Sequence, residues 1–231
     1  MSAVGHAGIR AVTCDVGGTL IAPWPSVGHI YAEVAGYYFG ETFDPILLNE
    51  RFAIAWRAAH LSPGGFTYSR RDWAAVVGAT YRDLTERPAD PGLFDALWRR
   101  FTEPAAWQVF PDVLPCLSEL RARGLRLAVL SNWDERLVPL LQDLGLASHF
   151  ETIIASTEVG AHKPDGRIFE HVARRLNLPP ASLLHVGDRD REDVAGARAA
   201  GWSAQLLRRG TDGRNGAIGT LADLPSRIAL G

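Results

Sequence analysis

The feature that most constrains the fold of this chain is a regular alternation of short apolar segments and helical segments after Trp107. Apolar runs typical of buried strands cover residues 125–130, 152–155, 183–186 and 203–207. Helical patterns separate these runs and cover residues 112–123, 136–144, 165–176 and 190–200. Strands that alternate with single helices predict a parallel sheet covered by helices on both faces. We therefore expect an α/β fold.

One further strand precedes the alternation, because residues 9–16 are apolar or β-favouring and stop at two glycines. Between this strand and the alternating region, residues 26–101 have helical periodicity and no convincing strand pattern. Ser69 is a predicted helix cap, and Pro91 suits the first turn of another helix. We predict a core formed by residues 1–21 and 107–231, with residues 22–106 as an inserted all-helical domain.

Composition limits the classes of partner. The formal net charge is −2 and the pI is about 6.4, so no general positive field would hold a nucleic acid or an anionic membrane. No apolar run approaches the roughly 18 residues that span a bilayer, and residues 1–10 lack an apolar signal core. Cys14 and Cys116 are too few for a disulfide framework, which suits a reducing compartment. We expect a cytoplasmic protein with a small-molecule partner, and the sequence carries no indication of an oligomeric state.

Polar residues stand where the predicted strands end, and the carboxyl ends of parallel strands are where ligands bind. These residues are Asp15, Ser131, Asn132, Lys163, Asp188 and Asp193. Lys163 is the only lysine among 24 basic residues, which indicates that a compact point charge is wanted there. Three carboxylates at one edge repel each other unless a cation joins them, and hard oxygen ligands suit Mg²⁺. The sequence therefore predicts an acidic, metal-binding edge.

Four segments in this order resemble the motifs of the haloacid dehalogenase superfamily, whose members are mostly phosphatases. The segments are DVGGTL from Asp15 to Leu20, Ser131-Asn132, Lys163-Pro164, and Gly187-Asp188 with Asp193. The stretches LRLAVLSNWDERL, HKPDGRIF and HVGDRDREDVAGARAAGW resemble in particular the subgroup of haloacid dehalogenase-like hydrolase domain-containing protein 3. The resemblance implies a Rossmann-like catalytic core and a helical cap that selects the substrate.

The resemblance also implies roles for the residues of these motifs. Asp15 would be the nucleophile of a phosphoric monoester hydrolase, with Lys163 and Ser131 as the other catalytic residues. The phosphate would be bound by Gly18, Thr19, Ser131, Asn132 and Lys163. Mg²⁺ would be held by the Asp15 carboxylate, the Gly17 carbonyl and the Asp188 carboxylate, with Asp193 holding a bound water or Lys163.

One departure from the resemblance concerns catalysis. In the phosphatases a second Asp, two residues after the nucleophile, protonates the leaving oxygen and then activates water, and here that position is Gly17. General acid–base catalysis contributes about 10²–10⁴ in rate. The sequence therefore predicts a phosphatase that is slow or restricted to good leaving groups, unless His29, Tyr31 or His60 of the cap supplies the acid.

The missing Asp leaves other interpretations open. One is a binding or regulatory protein with this fold and little turnover, and another is a 2-haloacid dehalogenase, in which Asp attacks carbon and no metal is required. A phosphonate hydrolase would need a cap lysine, which this chain lacks. Trp24 and Trp133 flank the predicted site, where an aromatic wall would favour an apolar or planar substrate group. His162 and His185 also flank motifs, and no role is assigned to them.

Overall fold

The computed structural model describes residues 6–62 and 65–229 of the chain. It divides the chain into two compact units, which we call the core unit (Met1–Ile21 with Val109–Gly231) and the helical unit (Ala22–Gln108). The predicted lack of a signal core concerns residues 1–10, of which 1–5 lie outside the described residues. Among the described residues, we find no helix with the length and hydropathy of a membrane span.

The elements are numbered in chain order. The strands are β1 (His6–Ala7), β2 (Ala11–Cys14), β3 (Ile21–Pro23), β4 (Trp107–Val109), β5 (Arg126–Ser131), β6 (Thr152–Ala155), β7 (Leu183–Gly187), β8 (Ser203–Leu206) and β9 (Ile228–Ala229). The α-helices are α1 (Val27–Phe39), α2 (Pro45–Leu61), α3 (Arg70–Thr80), α4 (Pro91–Arg100), α5 (Val113–Ala122), α6 (Leu137–Asp143), α7 (Ser156–Val159), α8 (Gly166–Leu176) and α9 (Gly196–Ala199). Two-stranded sheets pair β1 with β9 and β3 with β4, and strands this short carry no periodicity from which to predict them.

Five strands form one parallel sheet in the order β6-β5-β2-β7-β8, which confirms the predicted α/β fold. Strand β2 is central because Cys14 is in register with Val129 of β5 on one side and Val186 of β7 on the other. All four residues of β2 are buried, as expected for a parallel strand covered on both faces. The next residue, Asp15, therefore lies at the carboxyl edge between the ends of β5 and β7.

Helix α8 covers one face of the sheet. Its side chains Phe169 and Val172 are fully buried in one cluster with Ala128 and Leu130 of β5. Leu127 and Val129 alternate with these two along β5 and point to the opposite face of the sheet. Burial of a side chain such as Phe169 contributes about 1.5–3 kcal/mol relative to exposure. This packing holds the strand ends in fixed positions.

The helical unit contains α1 to α4, and each of these helices begins at a side chain that accepts a hydrogen bond from a backbone N–H of the first turn. These caps are Ser26, Asp44, Ser69 and Asp90. The predicted cap at Ser69 and the proline start at Pro91 are thus both present. The interior is aromatic: Tyr31 stacks on Tyr81 at 5.7 Å between ring centroids, and the Tyr81 hydroxyl donates to the Tyr31 carbonyl.

Candidate active site

Asp15 is held in one orientation at the end of β2. Its backbone N–H donates to the Val186 carbonyl at 2.9 Å, so the ladder with β7 continues through this residue. Its side chain is buried, and Oδ1 accepts hydrogen bonds from Lys163 Nζ at 2.8 Å and from Ser131 Oγ at 2.9 Å. Within the described parts of the chain, the contact of Oδ2 is a long one with Thr19 Oγ1, at 3.5 Å. The carboxylate is therefore fixed through one oxygen, while the other is held weakly.

Lys163 joins two of the three acidic residues. Its Nζ donates to Asp15 Oδ1, to Asp193 Oδ1 at 2.6 Å and to the Leu130 carbonyl at 2.9 Å, which uses all three N–H groups of an ammonium. Burial lowers the pKa of Lys163, but the two carboxylates outweigh burial and raise the pKa above its ordinary value. The side chain is thus a permanent positive charge between two negative ones.

The side chain of Asn132 fixes the backbone of Lys163. Its Oδ1 accepts from the Lys163 N–H at 2.7 Å, and its Nδ2 donates to the Lys163 carbonyl at 2.9 Å. The amide retains one N–H for another partner. Asn132 was predicted to bind phosphate, and what the structure shows of this residue is the support of Lys163.

Asp193 reaches the lysine from an unusual turn. The predicted helix over 190–200 is a π-helical turn, Asp190–Ala195, followed by α9, because the N–H groups of Asp193 and Val194 both donate to the Arg189 carbonyl. A Cβ at Gly187 would lie 2.3 Å from the Asp193 carboxylate, so only glycine at the end of β7 permits this approach. Burial raises the pKa of Asp193, but Lys163 and His185 together outweigh burial and hold the pKa of this carboxyl below its ordinary value.

His185, for which no role was predicted, lies behind the lysine. Its Nε2 is 3.1 Å from Asp193 Oδ1, and its Nδ1 is 2.8 Å from Thr13 Oγ1. Because the Asp193 carboxylate can only accept, Nε2 is the donor to Asp193, and the other ring nitrogen, Nδ1, accepts from Thr13. Burial, followed by Lys163, lowers the pKa of His185. The available sign was that Thr13 and His185 are polar residues in register on two buried strands.

Asp188 is the third acidic residue at this edge of the sheet. Among the described residues its buried Oδ1 has no hydrogen-bond partner, and Oδ2 has an ion pair with Arg189 at 3.6 Å. Burial, and then the charge of Asp15, raise the pKa of Asp188 to about 7. Gly18 has φ +77, and a Cβ there would lie 2.7 Å from Asp188 Oδ2, so the loop closes directly on the carboxylate.

The acidic residues form a donor set of the kind that holds a hard cation. One carboxylate oxygen each from Asp15, Asp188 and Asp193 lies within 4.8 Å of the others. One lysine cannot balance three carboxylates, and the partnerless oxygen of Asp188 is the atom that a cation would satisfy. These residues therefore fit a divalent metal ion, with Asp193 the most committed to protein partners.

The loop after Asp15 carries the remaining predicted residues. Within it, the N–H of Gly18 donates to the Ile21 carbonyl, and the N–H of Thr19 donates to the Val16 carbonyl. A phosphate bound by these two groups would have to share or replace those bonds. Gly17 lacks the positive φ that disfavours a side chain, and a Cβ there would lie 3.4 Å from Cζ3 of Trp133.

The same loop is braced by Arg209, which donates to the Thr19 carbonyl at 2.6 Å and to both carboxylate oxygens of Asp112 at 2.9 and 3.0 Å. The guanidinium lies over the Phe110 ring, 3.7 Å from its centroid. Burial raises the pKa of Asp112, but hydrogen bonds outweigh burial and hold the pKa below its usual range. The donors of these bonds are Arg209, Thr220 and Leu221.

The three residues considered as replacement acids lie in the helical unit. Tyr31 is buried in the aromatic interior, and His60 packs on Trp56 with ring centroids 4.1 Å apart. His29 is exposed, and its Nδ1 is 2.8 Å from the Ser26 hydroxyl. Packing thus accounts for Tyr31 and His60, and a local hydrogen bond at the start of α1 accounts for His29.

Comparisons with known proteins agree with this geometry. A family model described as a haloacid dehalogenase-like hydrolase matches residues 9–201. Haloacid dehalogenase-like hydrolase domain-containing protein 3 of Homo sapiens is 37% identical over 207 residues, covering 86% of this chain and 82% of that protein. Glyceraldehyde 3-phosphate phosphatase of Methanopyrus kandleri is 38% identical over 110 residues, or 47% of each chain. Among solved structures, a HAD phosphatase from Thermococcus onnurineus superposes with a TM-score of 0.66 at 26% identity, covering 94% of this chain and 97% of that one.

Proposed function

Because this chain belongs to the haloacid dehalogenase-like hydrolase family, we propose that it is a Mg²⁺-dependent phosphatase that uses Asp15 as its nucleophile. The observation that carries the proposal is the pairing of a buried Asp15, oriented by Lys163 and Ser131, with the partnerless oxygen of Asp188. The oriented Asp15 carboxylate is suited to nucleophilic attack, and the Asp188 oxygen is suited to binding a cation. The phosphatase named among the relatives supports a small phosphorylated substrate.

The metal would be held by the carboxylates of Asp15 and Asp188 and by the Gly17 carbonyl, and Asp193 would keep Lys163 or a bound water in place. When bound, Mg²⁺ supplies positive charge that offsets the charge of the phosphoryl oxygens. The Asp188 oxygen that lacks a hydrogen-bond partner among the described residues and the close approach of the loop at Gly18 are the local features that support this assignment.

In the first step an oxygen of Asp15 attacks phosphorus, and the bond from phosphorus to the leaving oxygen breaks with its electron pair on that oxygen. Lys163 and Ser131 exchange their bonds to Asp15 for bonds to the phosphoryl oxygens and hold them during transfer. In the second step water attacks the phosphorus of the aspartyl-phosphate, which releases phosphate and restores the carboxylate. Gly18 and Thr19 would line the phosphate through the loop, and Asn132 would contribute by holding Lys163.

Gly17 decides which substrates suit this mechanism. It cannot protonate the leaving oxygen, so esters whose leaving group is already a stable anion react best. It also cannot activate water, so the second step is the slower one. An activated aryl phosphate is therefore expected to give a burst of phenolate followed by slow turnover.

We further propose that the helical unit acts as the substrate-selecting cap of the family. A second candidate function, a binding or regulatory protein with very slow turnover, is favoured by the missing side chain at position 17. A 2-haloacid dehalogenase is less well supported, because that reaction requires no metal and therefore gives the acidic pair of Asp188 and Asp193 no function.

The experiment that tests the proposal is a panel of phosphate esters assayed with and without Mg²⁺, with Asp15→Asn as the blank. Mg²⁺-dependent phosphate release that Asp15→Asn abolishes supports the phosphatase. Calorimetric Mg²⁺ binding without turnover favours the binding protein, and Asp188→Asn should weaken that binding. Chloride release from 2-chloropropionate in the presence of a chelator would replace the phosphatase by the dehalogenase.

A further inference from the structure

The aromatic ring of Trp133 stands beside the position that lacks its acid. Its Cζ3 lies 3.4 Å from where the Cβ of Gly17 would be, which is ordinary van der Waals contact. Gly17 is two residues after Asp15, and Trp133 is two residues after Ser131, whose hydroxyl donates to Asp15. The ring therefore lies against the position that a side chain at residue 17 would occupy.

The backbone of Trp133 is fixed on both sides. Its N–H donates to the Ser156 hydroxyl at 3.1 Å, and its carbonyl accepts from the same hydroxyl at 3.1 Å. The Thr157 N–H also donates to this carbonyl, at 3.2 Å. Ser156 is fully buried, and the neighbouring Asn132 is bonded to Lys163. The Trp133 side chain is half-buried, so a ligand that reaches the exposed part of the indole would meet a residue whose backbone is already in place.

An aromatic face at this place matches the chemistry that Gly17 imposes. A leaving group that departs without protonation is one whose anion is stabilised, and phenolic oxygens on a planar ring have this property. Planar rings also gain from offset or edge contact with an indole, in amounts that saturated rings of equal size do not. The missing acid and the neighbouring ring thus favour the same class of ester.

We propose that Trp133 is the specificity-determining wall for the leaving group and selects phosphate monoesters of planar, aromatic alcohols. This inference rests on the proposed phosphatase function, since it identifies the substrate class of that site. It assigns Trp133 no proton transfer, so replacement of its ring acts on binding and leaves the reacting groups in place.

The test measures binding without turnover, with phosphonates that the site cannot cleave. Phenylphosphonate, cyclohexylphosphonate and methylphosphonate are titrated calorimetrically, with Mg²⁺, into the wild type, Trp133→Phe and Trp133→Leu. The wild type should bind the phenyl compound about three- to tenfold more tightly than the cyclohexyl compound. Trp133→Phe should keep most of this ratio, and Trp133→Leu should reduce it to about one, with an unchanged Kd for methylphosphonate.

Hydrolysis of p-nitrophenyl phosphate provides the second readout. Trp133→Leu should raise KM by about the three- to tenfold phenyl preference of the wild type and leave kcat nearly unchanged, because the ring acts in binding. The inference is overturned if Trp133→Leu keeps the wild-type preference for the phenyl compound, or if the wild type has no such preference. In either case, methylphosphonate binding and turnover by the wild type would still support the proposed phosphatase function. Absence of both phosphonate binding and hydrolysis in the wild type overturns the proposed function and, with it, this inference.

Discussion

Replacement of Gly17 by aspartate adds the one chemical group that the Asp15 site lacks. The backbone tolerates the change, because Gly17 does not have the left-handed conformation that disfavours side chains. Its Cβ would also meet Trp133 at 3.4 Å, a contact that requires no shift. The new carboxyl can therefore be built next to Asp15 without unfolding the loop.

The expected gain follows from two opposing terms. A general acid and base contributes about 10²–10⁴ in rate, or about 3–5 kcal/mol of barrier. The carboxyl must turn away from the Trp133 ring, and a strained side-chain rotamer costs about 0.5–1.5 kcal/mol. At least about 1.5 kcal/mol remains, so Gly17→Asp should raise kcat for an alkyl phosphate by about 10-fold or more.

The assay compares β-glycerophosphate, which needs a protonated leaving group, with p-nitrophenyl phosphate, which does not. Gly17→Asn is the matched control, since it has the same shape without the acid. Gly17→Asp should also remove the burst with p-nitrophenyl phosphate, because water is then activated in the second step. If Gly17→Asp folds and binds Mg²⁺ but is no faster than Gly17→Asn on β-glycerophosphate, the reasoning about position 17 is wrong.

Three further changes test the site and its support. Lys163→Met should lower phosphatase kcat by at least about 10²-fold and the free energy of unfolding, measured in urea, by about 3–5 kcal/mol. The control Arg174→Met, at an exposed ion pair, should change the free energy of unfolding by less than about 1 kcal/mol. Equal losses of unfolding free energy in the two variants would contradict the buried pairing. Gly187→Ala places a Cβ 2.3 Å from the Asp193 carboxylate, so the carboxylate must move and kcat should fall in a variant that still unfolds cooperatively. A wild-type kcat in this variant would contradict that contact. Because the folded pKa of Asp112 is depressed, its contribution to stability is present above about pH 4 and is lost as the pH falls through the folded value. Urea titrations from pH 7 to pH 3 should therefore show a steeper acid loss in wild type than in Asp112→Asn, and parallel curves would count against the assignment.

Local patterns predicted much of the fold. The apolar run at Thr152–Ala155 is a strand over the same residues, and Ser69 caps the helix that it was expected to cap. The family and the subgroup suggested by the motifs are both confirmed by the matches over most of the chain. These features were readable because each depends on residues that are close in sequence.

The contacts inside the site were not readable in this way. Lys163 meets the Leu130 carbonyl and Asp15 across separations of 33 and 148 residues, and such partners depend on the strand order. The π-helical turn that carries Asp193 looks like an ordinary helix in sequence. The neighbour of Gly17 is likewise set by the register of β2 and β5, so the sequence showed a missing acid but not the ring beside it.

The single lysine has a consequence for chemical labelling. Because Lys163 is the only lysine in the sequence and is 3% exposed, one buried ε-amino group is the only side-chain amine available to acylating reagents. The three hydrogen bonds that its ammonium group donates must break before the nitrogen can react, so the rate at which this one residue is acylated measures how often the site opens. Mass spectrometry of a single peptide would therefore report the local stability of the site, with no engineered probe.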